Sequence, residues 1–131
     1  MRYSHASITV RSIDESLRFY TEVLGLEPAG RRRIDENRAE IAFVRDPETG
    51  ARVELTHWDG KETWEAGEQL DHLAFEVPDL AAAVARAKRL GARIGKEPYQ
   101  LSGSGRRIAF LLDPDEVWIE LIEAPPPPSG Q

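Results

Sequence analysis

The sequence predicts an α+β fold in which one βαβββ unit occurs twice in a single chain. Three observations lead to this prediction: an internal repeat, the same order of strands and helix in both halves, and helix-capping residues at matching places. The two copies are expected at about residues 1–58 and 70–124, and together they form one domain over residues 1–124. Residues 125–131 begin with four prolines and are expected to form a disordered tail, because proline has no backbone donor.

The repeat appears when the chain is compared with itself. A shift of 67 residues places His5 on His72 and residues 42–47 on residues 109–114. A shift of 66 residues places Glu54 on Glu120, and the one-residue difference falls in a predicted hairpin, where length changes are well tolerated. A His, an Ala-Phe pair, an Asp-Pro pair and a Glu therefore recur in one order, which indicates a duplicated structural unit.

The first copy shows alternating apolar and polar residues in several segments, which is typical of strands. Strands are expected at residues 3–10, about 26–34, 39–45 and 52–58. Ser12 and Glu15 have the spacing of a capping box, so they predict the start of a helix that ends at Gly25.

The second copy repeats this order. Asp79 is expected to cap a helix that runs to about Leu90 and Gly91. Strands are expected at residues 71–77, 93–96, 106–112 and 117–123.

Composition excludes several classes of function. A net charge of −6 argues against a general nucleic-acid binder, because phosphate binding requires a basic face. The absence of cysteine excludes disulfides, thiolate metal sites and a cysteine nucleophile. No apolar run is long enough for a membrane span, and the first residues have no apolar signal core, so a cytoplasmic protein is expected.

Four residues with metal-binding side chains occupy equivalent places in the two copies: His5, Glu54, His72 and Glu120. Because strand side chains alternate between faces, all four are expected on the side away from the aliphatic residues that pack under the helices. Two imidazoles and two carboxylates suit Zn²⁺, Ni²⁺, Co²⁺, Mn²⁺ or Fe²⁺. The sequence thus predicts a metal site with a pseudo-symmetric set of ligands.

The chain resembles glyoxalase I and the wider vicinal oxygen chelate superfamily, which also contains bleomycin-resistance proteins and dioxygenases. The matching stretches, together with His5, are residues 16–26, 41–44, 53–56, 72–77, 108–110, 113–115 and 118–122. The resemblance implies the vicinal oxygen chelate fold, in which each βαβββ copy gives a curved half-barrel sheet.

The resemblance also implies a chemistry. His5, Glu54, His72 and Glu120 would bind one divalent ion, Zn²⁺ or Ni²⁺ before Co²⁺, Mn²⁺ or Fe²⁺. The reaction would isomerise a thiol–methylglyoxal adduct to a lactoyl thioester. Glu120 is the expected base with Glu54 as its partner, and the metal would stabilise the enediolate. Bacterial glyoxalases of this length exchange modules between two chains, so a homodimer is expected.

Four positions depart from the glutathione-specific pattern. Thr9 stands where an Arg is common, residues 57–59 lack the usual Asn, residues 101–105 lack the usual Lys, and Glu116 stands in place of Gly. Arg106, Arg107 or residues 31–33 are candidates to replace the lost anion contacts, and the alternative is that these arginines are solvated surface residues.

Two other functions fit the same superfamily. One is a related metal enzyme, either an acyl-CoA epimerase or a ring-cleaving dioxygenase, although such dioxygenases usually have longer chains. The other is a protein that sequesters a small molecule, although that branch generally lacks the four ligands. The complete set of ligands favours metal chemistry on a small-molecule substrate.

Overall fold

A computed structural model describes residues 2–61, 63, 70–103 and 105–125 of the chain. Two compact units divide the sequence, one over Met1–Gly67 and the other over Glu68–Gln131. Most of the tail expected over residues 125–131 lies outside the described residues. No helix among the described residues is both long and apolar enough to cross a membrane.

The first unit is a four-stranded mixed sheet with one helix. Its elements are β1 (Ala6–Thr9), α1 (Ile13–Arg18) continued by a π-helical segment (Phe19–Val23), β2 (Glu27–Ile34), a 3₁₀ turn (Asp35–Asn37), β3 (Ala39–Arg45) and β4 (Arg52–Trp58). The strand order is β1-β4-β3-β2, with β1 parallel to β4 and the other pairs antiparallel.

The second unit has the same order of elements. They are β5 (Leu73–Val77), α2 (Leu80–Arg89), β6 (Arg93–Gln100), β7 (Arg107–Leu112) and β8 (Trp118–Glu123). The strand order is β5-β8-β7-β6, with β5 parallel to β8 and the other pairs antiparallel. The predicted βαβββ arrangement is therefore confirmed in both units.

Both helices begin at the predicted capping residues. The backbone N–H of Glu15 donates to Ser12 Oγ at 3.2 Å, and that of Ala82 donates to Asp79 Oδ1 at 3.0 Å. Each cap satisfies a backbone donor that the first helical turn leaves without a partner. These contacts fix the residue at which each helix begins after the first strand of its unit.

One face of each sheet forms the core under its helix. In the first unit α1 packs against β3 and β4, and in the second α2 packs against β6, β7 and β8. The fully buried apolar side chains include Val10, Tyr20, Val44, Leu55, Leu80, Ala109 and Ile119. The opposite faces carry the residues expected to bind metal.

The strands that carry the two histidines were predicted too long. β1 begins at Ala6 rather than at residue 3, and β5 begins at Leu73 rather than at residue 71. Their partners contribute to this, because β4 and β8 begin at Arg52 and Trp118, which in the parallel register lie opposite His5 and His72, so residues before the histidines have no strand to pair with. His5 and His72 consequently lie just before their strands, at the same point in each unit.

Two other elements differ from the prediction. The first helix was expected to be regular, but its second half is π-helical, and the Leu24 N–H donates to Phe19 O at 3.2 Å. The Thr21 hydroxyl donates to the Leu17 carbonyl at 2.7 Å, a contact that bends helices. β6 continues to Gln100 rather than ending at residue 96, because register shifts hide its alternation.

Candidate metal centre

The first His–Glu pair lies at the start of the β1–β4 ladder. His5 Nε2 is 3.7 Å from Glu54 Oε2, and the two side chains are 28% and 19% exposed. Glu54 lies opposite Ser7 on β1 and opposite Phe43 on β3. The His5 ring meets the Phe43 ring edge to face, with centroids 5.0 Å apart. Phe43 thus fixes one side of the imidazole.

The second pair repeats this arrangement. His72 Nε2 is 3.3 Å from Glu120 Oε1, with the side chains 35% and 14% exposed. Glu120 lies opposite Ala74 on β5 and opposite Phe110 on β7, and the His72 and Phe110 rings meet edge to face at 6.0 Å. The two pairs therefore occupy equivalent register positions, each with its own phenylalanine.

The residue before each histidine holds the other ring nitrogen. His5 Nδ1 is 2.8 Å from Ser4 Oγ, and His72 Nδ1 is 2.7 Å from Asp71 Oδ1. Histidines that bind metals usually donate their second nitrogen in this way, which fixes the ring orientation and the tautomer. In both units the arrangement directs Nε2 toward the glutamate.

The donor atoms of each pair fit one divalent ion. Imidazole nitrogen and carboxylate oxygen each bind Zn²⁺-like ions at about 2.0–2.2 Å, so two donors on one ion are at most about 4.4 Å apart. Both observed separations, 3.7 Å and 3.3 Å, lie within this limit. Among the described residues, however, no group of three or more His, Asp or Glu side chains is placed to hold an ion. Each pair supplies two donors.

The carboxylates of Glu54 and Glu120 differ in their hydrogen bonds with nearby hydroxyl groups. The Thr56 hydroxyl donates to Glu54 Oε1 at 3.1 Å and lies 3.0 Å from Ser7 Oγ, so hydroxyl groups restrain Glu54. The repeat places Ile122 and Ala74 at the corresponding positions of the second unit. Neither side chain can form a hydrogen bond, and Glu120 therefore lacks this restraint.

A family model matches nearly the whole chain. Residues 2–121 match the family model described as the Glyoxalase/Bleomycin resistance protein/Dioxygenase superfamily. The chain belongs to this superfamily. The match includes both His–Glu pairs, and the resemblance inferred from the sequence is confirmed.

Several relatives of this superfamily member are named lactoylglutathione lyases. A probable lactoylglutathione lyase of Vibrio parahaemolyticus is 35% identical over 124 residues, which cover 93% of this chain and 90% of the relative. The lactoylglutathione lyase of Salmonella typhimurium is 36% identical over 126 residues, covering 95% and 93%. Glyoxalase I from Zea mays superposes with a TM-score of 0.86 at 31% identity, covering 95% of this chain but only 45% of the maize chain. This chain thus spans about half the length of the maize enzyme.

The third histidine of this superfamily member lies on the opposite face of β4. His57 alternates with Glu54 and Thr56, and its Nδ1 is 3.1 Å from the carbonyl oxygen of Val10. This contact joins β4 to the chain after β1 and uses the ring within the fold. Trp58 does share the face of Glu54, and its side chain is exposed.

Most of the arginines considered as anion-binding replacements already have partners. Arg31 donates hydrogen bonds to Glu40 and Asp14, and these bonds, the one to Glu40 foremost, raise the pKa of Arg31 above the ordinary value. Arg106 binds Glu76 and the carbonyl oxygen of Glu123. These contacts hold both side chains within their own unit.

Arg33 is held in the same way. It forms a two-point contact with Asp59 and also binds Asp35. The hydrogen bonds from Arg33 lower the pKa of Asp59. Such a charged pair fits a structural role at the end of β2.

Arg52 was not among the site residues predicted from the sequence. This residue precedes Glu54 by two positions, so strand alternation places both on one face. Its guanidinium carbon lies 4.0 Å from the centroid of Phe43, the ring that also meets His5. The signal in the sequence was the alternation along β4, but the contact with Phe43 depends on pairing between strands.

Proposed function

We propose that this chain is a metal-dependent lyase of the glyoxalase I type. It isomerises the adduct of a 2-oxoaldehyde and a thiol to a 2-hydroxyacyl thioester. The observation that carries the proposal is the duplicated His–Glu pair. In both units the pair has the same register, an equivalent phenylalanine and a contact between Nδ1 and the residue before the histidine. Relatives named lactoylglutathione lyases, which align over nine-tenths of their length, support it.

The proposed metal ligands are His5, Glu54, His72 and Glu120, and Zn²⁺ or Ni²⁺ is the proposed ion. Both nitrogen donors are the Nε2 atoms that Ser4 and Asp71 orient. The ion would supply Lewis-acid stabilisation of the negative charge that develops on the substrate oxygens.

Glu120 is the proposed base. Its carboxylate takes the proton from the carbon that bears the hydroxyl and the sulfur and returns it to the former carbonyl carbon, while the hydroxyl proton passes to the former carbonyl oxygen. The net change is an internal redox isomerisation of the adduct. Ile122 and Ala74, which replace Thr56 and Ser7 in the second unit, give Glu120 no hydroxyl restraint, and this supports the role because a base that collects and returns a proton must be able to shift. Glu54, which Thr56 restrains, is the more fixed partner.

The proposed assembly is a homodimer in which each site takes one His–Glu pair from each chain. Each unit supplies only two ligands among the residues described, and one ion requires more donors than a single pair offers. Exchange of units between two chains would supply both pairs to each of two equivalent sites.

Turnover of methylglyoxal adducts tests the proposal. The metal-loaded protein should form the thioester with at least one thiol among glutathione, N-acetylcysteine and coenzyme A. Glu120→Gln should lose roughly 10²–10⁴-fold in kcat, the usual contribution of a positioned base. Glu76→Gln is the matched control, because Glu76 lies on β5 in the same unit and pairs only with Arg106 in the described contacts.

Two results would count against the lyase proposal. Full turnover by Glu120→Gln would remove the assigned base. An absence of turnover with every thiol, together with tight binding of a drug such as bleomycin, would favour the sequestering function instead.

A further inference from the structure

A cation lies beside the first His–Glu pair. Phe43 sits opposite Glu54, its ring edge meets His5, and the Arg52 guanidinium lies over its face. This cation–π contact restrains the arginine side chain next to the two proposed metal ligands. The three polar side chains thus surround one aromatic ring on one face of the sheet.

Arg52 lacks a carboxylate partner among the described residues, unlike three other arginines of the same sheet. Arg45 lies directly opposite it in the β3–β4 ladder and binds Glu27 at 2.9 Å. Arg31 and Arg33 likewise bind acids of their own unit. A guanidinium presents five N–H donors, and the contact with Phe43 places the central carbon of the Arg52 guanidinium over the ring.

The second unit has an aromatic residue in the equivalent place. The repeat aligns Arg52 with Trp118, which meets Phe110 edge to face at 5.4 Å. Gly95 makes room for this indole, because a Cβ at that position would lie 2.7 Å from it. The two pairs are therefore alike, but one has a cation beside it and the other has an apolar surface.

We propose that Arg52 determines substrate specificity by binding a carboxylate of the thiol part of the substrate. The inference rests on the proposed function and names the class of thiol that the site accepts, namely one that carries a carboxylate. The planar fork of a guanidinium matches a carboxylate with two parallel hydrogen bonds. Thr9, which stands where related enzymes commonly have an arginine, offers no such charge.

Binding of unreactive thioethers tests this inference. The probes are S-methylglutathione and S-methyl-N-acetylcysteine. Each is compared by calorimetry, on the metal-loaded protein, with the form in which every carboxylate is a methyl ester. At least one acid should bind about tenfold more tightly than its ester, because hydrogen bonds to charged groups have this strength. Arg52→Gln should abolish the preference for that acid, and Arg52→Lys should retain part of it, because lysine keeps the charge but not the fork.

Two arginines provide matched controls. Arg45→Gln removes the same charge from the adjacent strand, and Arg32→Gln removes it from β2, opposite Ile41 on the same face of the sheet. Both should keep the preference for the acid. Equal losses in Arg52→Gln and either control would show an effect of net charge and would overturn the inference.

Other results would also overturn it. These are an unchanged preference in Arg52→Gln, or the absence of any preference for the acid form in the wild-type protein. Metal content and turnover, measured on the same samples, separate this failure from that of the proposed function. A wild-type protein with neither bound metal nor turnover would reject the proposed lyase. A wild-type protein with both, combined with an unchanged acid preference in Arg52→Gln, would reject only the role of Arg52.

Discussion

At the scale of single residues, the orientation of the two histidines depends on the side chains that precede them. Asp71 offers a carboxylate to His72 Nδ1, whereas Ser4 offers a neutral hydroxyl to His5 Nδ1. A charged partner orients an imidazole more strongly and makes it a better electron donor to a metal. The two units are therefore expected to hold the ion with unequal strength.

Asp71→Asn should weaken metal binding by about tenfold. This is the lower end of the usual loss of affinity when a hydrogen-bond partner of a metal ligand is removed, because Asp71 is exposed to solvent. Ser4→Ala should have a smaller effect, because the contact that it removes is uncharged. Competition with a chelator of known affinity measures both. Glu97→Gln, which removes a similar exposed charge in the same unit, is the control, and an Asp71→Asn affinity equal to that of the control would contradict the assigned role.

At the scale of elements, the hairpin between β7 and β8 contains one residue in an unfavourable backbone conformation. Asp113 accepts hydrogen bonds from the N–H groups of Asp115 and Val117, both at 2.8 Å, and Glu116 adopts the left-handed conformation with φ of 68°. The hairpin between β3 and β4 places Gly50 at its own left-handed position. A residue with a Cβ is disfavoured there by about 1–2 kcal/mol.

Glu116→Gly should therefore stabilise the protein, by roughly 0.5–1 kcal/mol after the entropy that glycine loses on folding. The ion pair with Arg93 is exposed and 3.5 Å long, so its loss matters little. Glu48→Gly is the control, because Glu48 does not have a positive φ. The Glu48→Gly protein should therefore be less stable than the wild type. Denaturant unfolding measures both variants, and destabilisation of the Glu116→Gly protein would refute the account of this turn.

The elements also show which features the sequence could predict. β4 alternates between apolar and polar residues, and β3 carries a continuous apolar run, so their predicted ranges of 39–45 and 52–58 match the structure. β6 is an edge strand with Gly95, Pro98 and two register shifts, so its alternation is lost and only its beginning was predicted. The ends of β1 and β5 depend on where their partners begin, and a single segment carries no such information.

The sequence predicted part of the candidate site, as it predicted part of the strands. Duplication exposed the four proposed ligands, because the same residue types recur at the same places. Arg52 was missed because its contact with Phe43 joins two strands and because Trp118, the residue aligned with it, differs in type. The repeat therefore showed what the two units share but not how they differ.

At the scale of the whole molecule, sharing of sites between chains can be tested by complementation. His5→Ala and His72→Ala should each be inactive alone. In a mixed dimer with exchanged units, both altered residues fall in one site and the other site is intact. Random mixing should thus restore about a quarter of the wild-type activity, measured after the two variants are unfolded and refolded together. No recovery, although mixed dimers are present, would show that each site lies within one chain.

The proposal that His5, Glu54, His72 and Glu120 bind one divalent ion is central to the account. Metal analysis of the purified protein tests it most directly. The wild-type protein should contain one divalent ion per chain, and His5→Ala and His72→Ala should each lose it while keeping their fold, because removal of a partly exposed side chain opens no apolar cavity. His57→Ala is the control and should keep its metal, because His57 contacts Val10 on the opposite face. Full metal content in a folded His5→Ala protein would contradict the account.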